Sequence, residues 1–358
     1  MPTAPVDNEG TVLYYEDSGI PTKQVLNIPY FSRIPADGTL RSRAQLASRA
    51  IELRGYPGST DYSPADLNKL RGPDRESQEQ AMAERGLEIA EFLRWYIDTE
   101  LIPPITLTPE GVRTGGISLL SWSGGNWHTV AMFGNADKVP ESTRKLLSTY
   151  LRSFIMFDPS STVIGHEIPP GLSSLRRDAS ASVDEQVAMF SLDVSAYYPP
   201  YEIPDDIDPL PTFDPPRRPL HEASAETDFK YAPTSTKMSA ETLRDLTHPS
   251  IMKEYQHVLW GINREVLKTN LHRALYDYRF DDGTGTRKPI WRDVRVHIIL
   301  CDMTIGQCAW AATVIRAGHQ KANPEHRRDM QLHTLKNANH FVHWEEPERF
   351  IRFLTVII

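Results

Sequence analysis

The segment that most restricts the fold is Gly115 to Gly125, Gly-Gly-Ile-Ser-Leu-Leu-Ser-Trp-Ser-Gly-Gly. Its first part is short, largely apolar at odd and even positions alike, and bounded by glycines. Such a run reads as a central strand of a parallel sheet, covered on both faces. The residues after Ser123 carry on in helical character through Met132. A buried strand that turns at once into a helix, with a serine at the junction, belongs to an α/β architecture.

The rest of the chain repeats that alternation. Thr11–Tyr15 reads as a strand stopped by Asp17-Ser18-Gly19, and Gln24–Ile28 as a second. Arg41–Leu53 looks more helical than extended, and Arg54–Thr60 is a loop broken by Gly55, Pro57 and Gly58. Ile89, Phe92, Leu93, Tyr96 and Ile97 share one face of a helix running from Glu79 to Ile97. Arg152–Phe157, Val294–Cys301 and Met330–Leu335 are further strands, and a helix from Pro347 to Leu354 closes the chain. Between residues 160 and 235 prolines cluster, among them Pro199, Pro200, Pro215 and Pro216, which excludes sheet centre and long helix there. The reading is a mostly parallel, doubly wound sheet, with residues 1–159 and 286–358 forming one core and 160–285 inserted as a lid or cap.

Length and composition agree with one large soluble domain. The 358 residues carry 40% hydrophobic and 24% charged side chains. A formal charge of -8 argues against nucleic acid as a partner, because phosphate contacts need basic patches. No apolar run is long enough to span a bilayer, and no basic segment with an apolar run opens the chain, so a cytoplasmic protein is the expectation. Cys301 and Cys308 are the only cysteines; they form neither a disulfide framework nor a zinc-type spacing, and read as free thiols. No P-loop, dinucleotide fingerprint or His-Glu metal motif occurs, so no cofactor and no metal are expected. The acidic, glycine-rich run Phe280–Gly285 is too short for a calcium loop and reads as a solvated turn.

Ser123 has small residues two positions to either side, Ser121 and Gly125. A nucleophile on a tight strand-to-helix turn needs this, since bulky side chains there would collide. By itself the pattern fits an ordinary turn as readily, and Ser121 stands where the G-x-S-x-G pattern has its first glycine. What strengthens it is order. A serine nucleophile needs a base, and the base needs an orienting acid. Asp302 follows one late strand directly and His340 follows the last, giving serine, acid, histidine. Asp158, after an earlier strand, is the alternative acid. His343 is the alternative base, and His128, along the helix from Ser123, reads as structural. Gly124 would donate its N–H to a developing oxyanion at the helix start. Trp122, Trp127 and Phe133 read as core or pocket wall; Tyr197, Tyr198 and Tyr201 fit an acyl pocket or surface packing equally.

With these residues in view, the chain resembles the α/β-hydrolase fold superfamily, in particular fungal-type members with a large insertion before the late strands. The resemblance rests on TVLYYEDSG (Thr11–Gly19), RGYPGST (Arg54–Thr60), LLSWSGGN (Leu119–Asn126), FDPSSTVIG (Phe157–Gly165) and NANHFVHWEEPERF (Asn337–Phe350). It implies Ser123 as nucleophile and His340 as base, with Asp302 matched by position only, and a small-molecule ester, acyl or lactone substrate. Members that open epoxides or remove halides carry aspartate at the elbow, which serine at 123 disfavours. The family also supplies a second oxyanion N–H from a His-Gly loop. No His-Gly pair occurs in this sequence. The interval 20–53 therefore reads either as a divergent oxyanion loop near Pro29-Tyr30-Phe31 or as a sheet short of one strand. The alternative function is that of a non-catalytic member of the fold.

Overall fold

A computed structural model describes residues 2–17, 23–28, 46–172, 180–205, 229–247 and 251–358, apart from 252, 253 and 256. Eight strands form one sheet: β1 (Thr3–Pro5), β2 (Val12–Asp17), β3 (Lys23–Ile28), β4 (Leu46–Ile51), β5 (Ile117–Trp122), β6 (Leu151–Phe157), β7 (Arg295–Cys301) and β8 (Met330–Leu335). Their order across the sheet is β1-β2-β4-β3-β5-β6-β7-β8. β2 is antiparallel to both its neighbours, and every pairing from β4 through β8 is parallel. The carboxyl ends of β5, β6, β7 and β8 therefore share one edge, the edge at which open α/β sheets take their ligands.

Two expectations are corrected here. Residues 46–51 form a strand rather than a helix, and the sheet does not lack a strand before Arg54. Leu-Ala-Ser-Arg-Ala-Ile is a poor β sequence by propensity, but it is paired on both sides, antiparallel to β2 and parallel to β3. The Pro29-Tyr30-Phe31 candidate for the oxyanion loop lies outside the described residues.

The helices form where local signals and burial agree. α1 (Pro64–Arg71) opens with Pro64 at its first turn and a reciprocal Ser63–Asp66 capping box. α2 (Arg75–Glu100) is capped by Asp74, which accepts from the Ser77 N–H, and ends at Leu101 in the left-handed conformation before Pro103-Pro104. α3 (Asn126–Gly134) follows β5 and is buried along its whole length. α4 (Glu141–Tyr150) leads into β6. Between β6 and β7 lie α5 (Val183–Ser195), α6 (Ala240–Thr247) and α7 (Arg264–Leu271), with shorter helical turns. α8 (Gly306–Lys321) connects β7 to β8, and α9 (Pro347–Ile357) ends the chain. Of the segment Phe280–Gly285, expected as a solvated turn, only residues 282–285 form one; Phe280 is buried in the short strand Arg279–Asp281, which pairs with Arg287–Pro289.

β5 is buried at all six positions, as the apolar run required. Over it, α2 and α3 pack closely at Gly86. A Cβ built there would stand 2.5 Å from the Met132 backbone nitrogen and 2.6 Å from the Ala131 carbonyl carbon. The contact is backbone on backbone, so no side-chain rotation relieves it. Gly86→Val is expected to lower stability by about 1–3 kcal/mol through overpacking, read as a fall in the urea midpoint. An unchanged midpoint would mean that α2 sits farther from α3 than described.

Candidate active site

Ser123 begins a single turn of 3-10 helix, Ser123–Gly125, that links β5 to α3. Its φ is 51°, in the left-handed region that side chains other than glycine rarely adopt. The turn is secured by polar contacts behind it. Asn126 donates from Nδ2 to the Ser123 carbonyl at 2.9 Å. The Ser121 hydroxyl donates to Asn126 Oδ1 at 2.7 Å and lies 2.8 Å from the Thr129 hydroxyl. That is why serine is tolerated at the position where a glycine is usual: its hydroxyl is buried but fully paired. Gly124, in the first turn, has a backbone N–H that the helix itself leaves unpaired.

His340 lies after β8 and is almost wholly buried. Its Nδ1–H donates to Asp158 Oδ2 at 3.0 Å. Its Nε2 is buried and has no hydrogen-bond partner among the described residues. Asp158 directly follows β6, is fully buried, and has a φ of 43°. Its Oδ1 accepts the Cys301 N–H at 2.8 Å, so both carboxylate oxygens are fixed. The acid beside the histidine is thus Asp158, the sequence's alternative, and not Asp302.

Asp302 has other work. Its Oδ1 accepts the Ala338 N–H at 3.2 Å, two residues before His340. Burial holds its pKa above the ordinary carboxylate value, and the N–H groups of Ala338, Asn337 and Met303 and the charge of Lys336 offset that only in part. Its carboxylate shapes the loop that carries His340 rather than meeting the ring. Asn337 in that loop has a φ of 54°. Of the five non-glycine residues with positive φ among those described, three are therefore Ser123, Asp158 and Asn337. Strained backbone of this kind concentrates at functional sites.

The other histidines separate cleanly. His343 packs among the rings of Trp122, Phe157, Phe341 and Phe350. Burial first, then the neighbouring His340, depresses its pKa to about 3. Its Nδ1 has no partner among the described residues. His128 is likewise pushed to about 3, by burial and by Arg85, and is structural as expected. The Trp122 ring lies tilted against that of His340, centroid to centroid 4.9 Å, and donates from Nε1 to the His340 carbonyl at 3.1 Å.

A cavity of about 510 Å³ opens at Ser123 and Gly124, with Trp127, Phe190, Trp260 and Gln307 in its walls. Tyr197, Tyr198 and Tyr201 do not line it. They bond instead to Glu345, to the Asp193 carbonyl and to Thr313. A second cavity, of about 570 Å³, is lined by Arg113, Arg295 and Asp329, which lie at the amino ends of β5, β7 and β8, away from Ser123.

No family model and no curated sequence matches the chain. Solved structures match it over nearly its whole length. Cfl2 from Burkholderia cenocepacia aligns over 98% of this chain and 93% of its own at 11% identity and a TM-score of 0.50. Est816, described as an N-acyl homoserine lactone degrading enzyme, aligns over 100% of both chains at 12% identity and a TM-score of 0.49. The epoxide hydrolase VrEH1 from Vigna radiata aligns over 100% of this chain and 97% of its own at 12% identity and a TM-score of 0.47. The chain has the α/β-hydrolase fold. At these identities the likeness concerns the fold alone.

The buried histidines give the site a pH signature. His128 and His343 titrate near 3 when folded and near 6.5 when unfolded, so the unfolded chain binds more protons between those values. Stability is therefore whole above the unfolded pKa and falls as pH drops below it. At one pH unit below the unfolded value each histidine costs about 1.4 kcal/mol. Urea midpoints at pH 7.5 and 5.5 should show the loss, and His343→Phe should remove part of it. A slope that His343→Phe leaves intact would mean that residue 343 is not held neutral.

Proposed function

We propose that this chain is a serine hydrolase that cleaves a carboxylic ester, or a related acyl or lactone bond, through an acyl-enzyme on Ser123. One observation supports this above all. His340 is tied at Nδ1 to Asp158 while its Nε2 remains unpaired, on a loop bonded to the residue preceding a serine at positive φ.

In this reading Ser123 Oγ attacks the substrate carbonyl and His340 Nε2 takes its proton. Asp158 fixes the ring's tautomer and stabilises the imidazolium that forms. The Gly124 N–H and the amino end of α3 face the developing oxyanion. His340 then returns the proton to the leaving alcohol, and a water activated by the same nitrogen hydrolyses the acyl-enzyme. A second oxyanion donor would be worth about 100- to 1000-fold in rate. Its expected position lies outside the described residues. The apolar walls of the cavity, Trp127, Phe190 and Trp260, favour a small uncharged acyl group. Residues 160–285 serve as lid or cap over a core made of 1–159 and 286–358, because Phe190 and Trp260 of that segment stand in the wall of the cavity that holds Ser123.

A non-catalytic role rests on the absent His-Gly pair; the reading of residues 20–53 as a sheet short of one strand gives it no support, since β4 is in place.

A fluorophosphonate probe should label the wild-type chain and leave Ser123→Ala unlabelled; labelling that survives the substitution sinks the assignment. The two aspartates offer a sharper test. Asp158→Asn should lower kcat on a p-nitrophenyl ester by roughly 10,000-fold, as loss of the tautomer-fixing acid does. Asp302→Asn should keep most of its kcat and lose stability instead. The reverse ranking would return the acid's role to Asp302.

A further inference from the structure

Three side chains of unlike chemistry meet on the Nδ1 side of His340. A carboxylate oxygen of Asp158, Cys308 Sγ and a His340 ring nitrogen lie within 4.8 Å of one another. Nδ1 is 3.0 Å from Asp158 Oδ2 and 3.8 Å from Cys308 Sγ. All three residues are buried. The reaction proposed above uses two of them and gives the thiol no step.

An oxygen, an imidazole nitrogen and a sulfur together suit a borderline-soft cation, zinc first among the common ones. Tetrahedral ligands at ordinary zinc bond lengths stand about 3.3–3.6 Å apart. The two separations from Nδ1, 3.0 and 3.8 Å, differ from that by a few tenths of an ångström, and the Asp158 oxygen lies within 4.8 Å of Cys308 Sγ. We propose that Asp158, Cys308 and His340 form an inhibitory zinc site that overlaps the hydrolytic machinery. The two cysteines are not spaced as zinc ligands in sequence; it is the meeting of the β6 end, the first turn of α8 and the loop after β8 that assembles the set. Cys301 contributes differently: its N–H holds Asp158 Oδ1, and its own thiol is pushed up by burial and by the Asp158 charge.

The proton balance explains the inhibition. Before binding, His340 carries its proton on Nδ1 and Nε2 has a free lone pair. Zinc takes the Nδ1 lone pair, so the ring proton moves to Nε2. The Cys308 thiol, which donates to the Asp158 carbonyl at 3.2 Å, releases its proton to solvent. Three bonds form, Zn–S, Zn–N and Zn–O, and one proton leaves per ion. With Nε2 protonated, the imidazole is unable to accept the Ser123 proton. The loss of turnover rests on the hydrolase reading; the binding does not.

The test uses the full chain, stripped of metal with a chelator and dialysed against zinc. Bound metal is counted, and p-nitrophenyl butyrate hydrolysis is followed in the same samples. One zinc per chain is expected, with turnover lost and then restored by EDTA, and affinity rising about tenfold per pH unit as one-proton release requires. Cobalt in place of zinc should give a near-ultraviolet sulfur-to-metal charge-transfer band. Cys308→Ala should lose the band, bind at least about 100-fold more weakly, and make the turnover that remains insensitive to zinc at concentrations that silence the wild-type chain. Cys308→Ser replaces it if circular dichroism shows that the alanine variant does not fold. Ser123→Ala should abolish turnover and bind zinc unchanged. Failure of the wild-type chain to bind zinc, or equal binding with the band intact in the Cys308 variant, overturns the proposal. Binding with the band in a chain that hydrolyses nothing upholds the site and overturns the reaction.

Discussion

The backbone at Ser123 is the constraint from which the site follows. A β-strand that becomes a helix within one residue forces that residue into an unusual conformation, and here the residue has a φ of 51°. For a side chain other than glycine this costs on the order of 1–3 kcal/mol, which the surroundings have to offset. They do so with buried, paired polar groups rather than with glycine alone. Ser121, Asn126 and Thr129 bond to one another beneath the turn, and Asn126 reaches the Ser123 carbonyl. β5 must then be central and α3 must be buried, because any looser packing would release the strain.

The choice of acid shows where the sequence was readable and where it was not. Ser123, Asp158, Asp302 and His340 each follow a strand, and short apolar runs together with the residues that bound them located those strands to within a residue or two. Which aspartate meets the histidine depends on features with no local signature. Asp158 directly follows β6 at a φ of 43°, and a backbone N–H 143 residues away in sequence, that of Cys301, fixes one of its oxygens. Asp302 ends the next strand, but its carboxylate is taken up by the Ala338 N–H. Both residues read identically in one dimension. β4 failed for a related reason: Ala, Leu and Arg lean towards helix, and only pairing with β2 and β3 makes Leu46–Ile51 a strand.

The same dense packing accounts for the different states of two histidines three residues apart. His340 has a carboxylate against one nitrogen, whereas His343 has aromatic faces around it. An imidazole enclosed by rings gains nothing from protonation and loses its hydration, so it stays neutral. Trp122 touches both rings, yet only His340 combines an acid partner with a free nitrogen. Sequence order alone offered either residue as the base, and of the two it is His340 that has a counter-charge beside it, that of Asp158.

The loop that carries His340 is also bound by the segment between β6 and β7. Asn339 donates to the Ser195 carbonyl at 2.7 Å and to the Thr234 hydroxyl at 2.8 Å, and its Oδ1 accepts the Phe341 N–H at 3.0 Å. Six residues on, Glu345 accepts from Lys237 at 2.9 and 3.0 Å, from Tyr197 at 2.8 Å, and from Thr234. Burial and the Glu345 charge push the Tyr197 phenol up, so it stays a donor. Lys237 and Glu345 are both largely shielded from solvent, which makes their pairing less sensitive to salt than a surface bridge. The position of His340 is therefore a joint product: β5 holds its carbonyl through Trp122, β7 holds the loop before it through Asp302, and the insertion holds the residues on either side. A segment that reads in sequence as an addition to the fold is, in contacts, one of the three supports of the histidine to which the proposed reaction assigns the base.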